Sequence, residues 1–239
     1  MSENESKSDF FGIFGHDLLE KRKMMIFVRY EKWNQYLKFY PVTALLVLVN
    51  VVMFIVLAVN GAYSRDASGS ILLQYGALSN VVGVPGIENV DSPWRYLTSV
   101  FLHGSFEHLL FNCFAIMVFL PPLERLLGHV RYAVLYLASG IIANLISMGF
   151  YNRAGEYFIS VGASGAIYGG YGAFLYMALF QRAKMDKGSR QTVYILLVMG
   201  LIMSFATPNV NISAHIGGAI AGFFLYGLLV RLPIGKKIG

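Results

Sequence analysis

Four polar residues stand within or at the edge of stretches that are otherwise apolar: His108, Asn112, Ser164 and His215. Polar groups of this kind are costly inside apolar helices and are functional candidates by default. A serine is a weak nucleophile until a neighbouring base takes its proton, and a histidine is the usual base. Histidine and asparagine can both donate hydrogen bonds to an oxygen that gains negative charge. His108 and Asn112 are four residues apart, which puts them about 40° apart on one helical face. Gly162-Ala163 precede Ser164 and an apolar run follows, so the serine stands at a helix start. Free N–H groups and the positive end of the helix dipole would stabilise an oxyanion there. The pattern is that of acyl transfer through a serine.

The depths of these residues agree. The first basic residues after them are Arg125, Arg182 and Arg231, 16 to 18 positions beyond His108, Ser164 and His215. At 1.5 Å per residue, each lies roughly 24–27 Å from that basic edge. A hydrocarbon core of about 30 Å then puts all three a few ångströms below the opposite boundary. Lateral proximity has its own signal. Gly165 and Gly169 follow the serine, and Gly218 and Gly222 follow the histidine, each pair spaced by four. Small residues at that spacing let membrane helices approach closely.

Those residues need long apolar helices to hold them, and the chain supplies them. Apolar residues make up 56% of the 239 and charged residues 13%, against about 25% charged in soluble domains. The expected fold is all-α and polytopic, with six transmembrane helices near 42–63, 104–120, 131–151, 163–180, 191–206 and 213–230. Pro121-Pro122 should end the second, since proline cannot continue a helix. The expected organisation is an interfacial N-terminal segment over 1–41, a membrane domain over 42–231 and a short basic tail over 232–239. The loop near 64–95 is too long and too apolar for a simple tether, so part of it should be buried at headgroup level. No cleavable signal peptide is expected, because the first long apolar run begins only near Val42.

The net charge of +6 does not point to nucleic acid. Basic residues gather in the N-terminal segment, after the second and fourth helices, and in the tail. The opposite side has only Arg65, Arg95 and Arg153. By the distribution of Lys and Arg, both termini are cytosolic and the charge is membrane-surface charge. Trp33, Tyr36, Phe39 and Tyr40 among the lysines of the first segment fit a stretch lying on lipid headgroups. The single cysteine, Cys113, excludes an intrachain disulfide and reads as a small buried hydrophobe. His103 is five residues before His108, which turns it about 140° away on a helix, and no H-E-x-x-H is present. Neither a metal nor a cofactor is expected.

Taken together, these motifs resemble the rhomboid family of intramembrane serine proteases, in its bacterial six-helix form. His103-Gly104-Ser105-Phe106-Glu107-His108 running on to Asn112 looks like its H-x-x-x-x-H-x-x-x-N motif. Gly162-Ala163-Ser164-Gly165 looks like its G-x-S-G motif. Ala214-His215-Ile216-Gly217-Gly218 resembles its last-helix histidine, Trp94-Arg95 its outer-loop pair, and Glu124-Arg125 its pair after the second helix. The similarity runs over about residues 42–230.

The resemblance implies a water-accessible cavity open to the outside and a Ser–His dyad without an acidic third member. On this reading Ser164 is the nucleophile and His215 the base. His108, Asn112 and the Ser164 N–H form the oxyanion hole, and Tyr168 packs on the histidine. His103 becomes a structural residue of the loop–helix junction. The implied partners are the lipid bilayer and single-span or multi-span membrane proteins with unstable helix ends, in a bacterial inner membrane. A transporter is the main rival, but its polar groups should gather near mid-membrane. A non-catalytic protein that retains membrane clients is the other.

Overall fold

The computed structural model describes residues 26–27, 31–64, 69–81, 83, 90 and 92–232. The other basic residues of the first segment, from Lys21 to Arg29, and those of the tail lie outside the described residues, as does Arg65.

A short helix, α1 (Trp33–Phe39), leads into α2 (Pro41–Val59). Trp33, Leu37 and Phe39 are exposed on α1 and Trp33 stacks on Tyr36. Glu124 caps α2. Its buried carboxylate accepts from the Val42 and Thr43 N–H groups at 2.9 Å and from the Thr43 hydroxyl at 2.7 Å. A negative group among the free N–H groups of a helix start is stabilising.

The described part of the loop after α2 carries secondary structure. It holds α3 (Ser70–Gln74) and β1 (Leu78–Ser79), with Leu73, Ala77 and Leu78 buried. Arg95, in α4 (Arg95–Thr98), is buried, donates to the Leu73 and Ala77 carbonyls, and lies over the Trp94 ring. Strand β1 pairs antiparallel with β2 (Ile159–Ser160), so a purely helical fold acquires a small ribbon. Both segments are extended beside each other, and pairing satisfies backbone groups that would otherwise be orphaned.

Helix α5 (Phe106–Phe119) is N-capped by the Ser105 hydroxyl, which accepts from the His108 N–H. Pro121-Pro122 do not simply end it. They open a new helix, α6 (Pro121–Leu127), because a first turn needs no N–H from them. α7 (His129–Ala154) ends on Gly155 at φ 68°, a left-handed cap that suits glycine. α8 (Ser164–Phe180) is the central helix, with 12 of its 17 residues buried. α9 (Lys187–Ala206) is the opposite case, with only Ser189, Val193 and Ser204 buried. α10 (Ile212–Leu229) is N-capped by Asn211, whose side chain accepts from the Ala214 N–H.

Among the described residues four helices, α2, α7, α9 and α10, are long and apolar enough to cross a membrane. A fifth span arises if Arg95–Phe101 and α5, bent by 92°, count as one. α8 falls short at 17 residues. Its burial is that of a helix enclosed by its neighbours.

Candidate active site

The site forms where α5, α8, α9 and α10 meet below the ribbon. The ribbon comes first, because it aims the chain at Ser164. Ser79 donates to the Phe158 carbonyl at 2.8 Å, and the Gly162 N–H donates to Ser99 O at 2.8 Å. Gly162 then turns at φ 126°, a conformation that L side chains rarely adopt. α8 starts two residues later, at Ser164, so the Ser164 N–H has no helical partner.

Gly162 also makes room for α5. A Cβ built there would lie 2.7 Å from His108 Nε2 and 3.7 Å from Asn112 Nδ2. Two donors from one face of α5 therefore converge on the backbone just before the serine. Asn112 Nδ2 is buried without a hydrogen-bond partner, an unspent donor of the kind that asks for an explanation.

α8 and α10 touch backbone to backbone. A Cβ on Gly218 would lie 2.0 Å from Gly165 O, one on Gly222 1.9 Å from Gly169 O, and one on Gly172 1.9 Å from Ala219 O. Gly165 in turn abuts Ala143 of α7 and Ala214 of α10. The two glycine pairs thus meet each other. This contact carries His215 to the level of Ser164, and both line one cavity of about 850 Å³ with His108, Asn112 and Tyr168.

The imidazole of His215 is held on two sides. Tyr168 stacks on it with ring centroids 4.2 Å apart and planes 11° from parallel. Nδ1 lies 2.7 Å from the Ser204 hydroxyl, which leaves Nε2 as the ring nitrogen free for chemistry. Asn211 ties the frame together. Its amide donates to Ser147 of α7 at 2.6 Å and to Ser160 of β2 at 3.0 Å, while its carbonyl oxygen caps α10.

The chain also matches a family model and known sequences. The rhomboid domain model matches residues 90–232. The chain belongs to the rhomboid family. It is 34% identical over 206 residues to YdcA of Bacillus subtilis, covering 86% of this chain and 97% of that one. It is 34% identical over 199 residues to the rhomboid protease GluP of the same organism, covering 82% of this chain but 37% of GluP. RHOMBOID-like protein 5 of Arabidopsis thaliana is 36% identical over 142 residues, 59% of this chain and 45% of that protein. This rhomboid is thus an integral membrane protein of helical architecture.

His103 lies just ahead of α5, which starts at Phe106, so the angle of about 140° that would hold on a shared helix does not describe how it meets His108. Its ring is fully buried and meets the His108 ring edge-on at 5.0 Å between centroids. Two residues escaped the sequence reading altogether, Ser204 and Asn211. A signal existed for each. Ser204 is a polar residue near the C-terminal end of an apolar helix. Asn211 is an N-cap type directly before an apolar run.

Proposed function

We propose that this rhomboid is an intramembrane serine endopeptidase that cuts membrane-protein segments near the outer face. Ser164 is the nucleophile and His215 the general base. The reading also takes up the six-span topology, with both termini cytosolic, in a bacterial inner membrane. The protease domain is 42–231, flanked by the interfacial segment 1–41 and the tail 232–239.

The observation that carries this reading is the convergence at one cavity. A serine opening a helix, a stacked histidine and two donors of α5 face the same space. The chemistry follows from the arrangement. Ser164 Oγ attacks the scissile carbonyl as its proton passes to His215 Nε2. The carbonyl oxygen becomes an oxyanion, held by the Ser164 N–H, His108 and Asn112. His215 gives its proton to the departing amine, and the acyl-enzyme forms. Water then enters, loses a proton to His215, and releases the new carboxylate and the serine. His103 supports the His108 ring, Tyr168 supports His215, and Gly162 and Gly165 keep the serine loop close to its neighbours. Segments with Gly, Pro or polar residues near the outer end of a span are the best substrates, because their helices unwind at lower cost.

Ser164→Ala is the test, against a single-span substrate in proteoliposomes and with a fluorophosphonate probe. The expected result is loss of both cleavage and labelling, in a protein that melts as the wild type does. Cleavage retained above a few per cent of wild type overturns the assignment. Labelling of Ser164 also separates an enzyme from a client-retaining protein or a transporter.

A further inference from the structure

α9 is the loosest of the long helices, yet two of its three buried residues are serines, Ser189 and Ser204. Ser189 is occupied at the N-terminal end, where its hydroxyl donates to the Asp186 carboxylate and accepts from the Ile26 N–H. Ser204 sits at the other end, two residues before the helix stops. A serine in an apolar helix commonly does no more than bond the carbonyl four residues back. Ser204 does that, with Gly200 O at 2.7 Å. It also stands 2.7 Å from His215 Nδ1 and 3.2 Å from the Tyr168 hydroxyl.

A hydroxyl has one proton and can accept two more. The Gly200 carbonyl only accepts, and two oxygens at 2.7 Å without a proton between them would repel. The Ser204 proton therefore goes to Gly200 O. Its lone pairs are then left for His215 Nδ1–H and for the Tyr168 O–H. Every proton in the cluster finds an acceptor this way. The opposite assignment, with Ser204 donating to Nδ1, leaves Gly200 O facing a lone pair and puts the imidazole proton on Nε2. A histidine in that state cannot take a proton from Ser164 at Nε2. Gly200 adds a second observation, because a Cβ there would lie 2.5 Å from the Tyr168 hydroxyl. The missing side chain is what lets the tyrosine reach the serine.

We propose that Ser204 is the positioning residue of the His215 base: it accepts the Nδ1–H, fixes the ring in the tautomer with a free Nε2, and anchors α9 to the site. The inference rests on the Ser164–His215 reading. It gives the dyad a neutral third member where serine hydrolases elsewhere use a carboxylate. The imidazolium formed during attack gains a hydrogen bond that a docked but unreactive substrate does not use. The effect therefore falls on kcat rather than on KM.

The experiment compares Ser204→Thr with Ser204→Val, which are close to isosteric and differ in the hydroxyl. Threonine can make the same backward bond to Gly200 O. Ser204→Val is expected to lose about 10–10²-fold in kcat, the worth of one hydrogen bond to a charged group, with KM within about twofold. Ser204→Thr is expected to keep kcat within about threefold of wild type. Fluorophosphonate labelling should slow in Val and not in Thr. Equal kcat in the two variants, whether high or low, overturns the proposal. Nitrogen NMR on ¹⁵N-histidine protein gives an independent reading, with the His215 signals assigned by their loss in His215→Ala. An Nδ1-protonated neutral ring supports the proposal and an Nε2-protonated ring overturns it. Ser164→Ala measured alongside separates the two claims. Turnover by Ser164→Ala removes the dyad itself, whereas an inert Ser164→Ala with a fully active Ser204→Val removes only the role of Ser204.

Discussion

Adding one methyl group at Gly222 should cripple turnover although Gly222 is far along α10 from His215. The Cβ of Gly222→Ala would stand 1.9 Å from Gly169 O, 2.4 Å from Gly169 C and 2.5 Å from its Cα. Ordinary contact begins near 3.4 Å, so α8 and α10 must separate locally by about 1.5 Å. The clashing atoms are backbone, and no side-chain rotation can relieve them. Gly169 lies five residues after Ser164 on the same helix, so the separation is carried to the serine. A misplacement of about 1 Å at the reacting atoms can cost on the order of 10²-fold in rate. Overpacking of this kind also costs about 1–3 kcal/mol of stability. The assay is turnover of a single-span substrate in proteoliposomes, with a melting curve on the same preparation. Gly149→Ala is the control, since a Cβ there meets nothing within 4 Å and the residue lies inside α7, five residues before its end. It should keep full activity and melt no lower than wild type, because alanine is favoured over glycine in a helix. Full activity in Gly222→Ala would refute the claim that the α8–α10 contact sets the Ser164–His215 geometry.

Asn112→Ala should lower turnover by about 10²–10³-fold, the usual loss for one oxyanion donor. It should still be labelled, slowly, by a fluorophosphonate, and unchanged turnover in a stable variant would remove Asn112 from the site. Glu124→Gln places an amide among N–H and O–H donors that now share one carboxylate. It should destabilise the protein by roughly 1.5–3 kcal/mol, read as a lower melting temperature; an unchanged melt would show that the cap of α2 is unimportant. Cys113→Ala should be active, because the thiol is a small group buried in α5. Loss of activity in a folded Cys113→Ala would point to thiol chemistry instead.

The sequence by itself determined what is local along the chain. Apolar stretches of a given length become helices because backbone groups in lipid must bond within their own segment, and observed helices such as His129–Ala154 and Lys187–Ala206 extend the expected ranges by only a few residues. That Ser164 and His215 share one level, and that glycine faces let their helices meet, was legible for the same reason, since both follow from counting residues at a fixed rise. Partners across helices were not legible. Ser204 reaches His215 from another helix, Glu124 reaches back to Val42 and Thr43, and the ribbon joins Leu78–Ser79 to residues some 80 positions later. How His103 meets His108 was not legible either, because helical angles say nothing of a residue ahead of the helix, and a bend before Phe106 brings the two rings together. Spacing fixes which face a side chain takes on its own helix. Only the packing of whole helices, decided by contacts such as Gly222 on Gly169, fixes which side chain of another helix that face will meet.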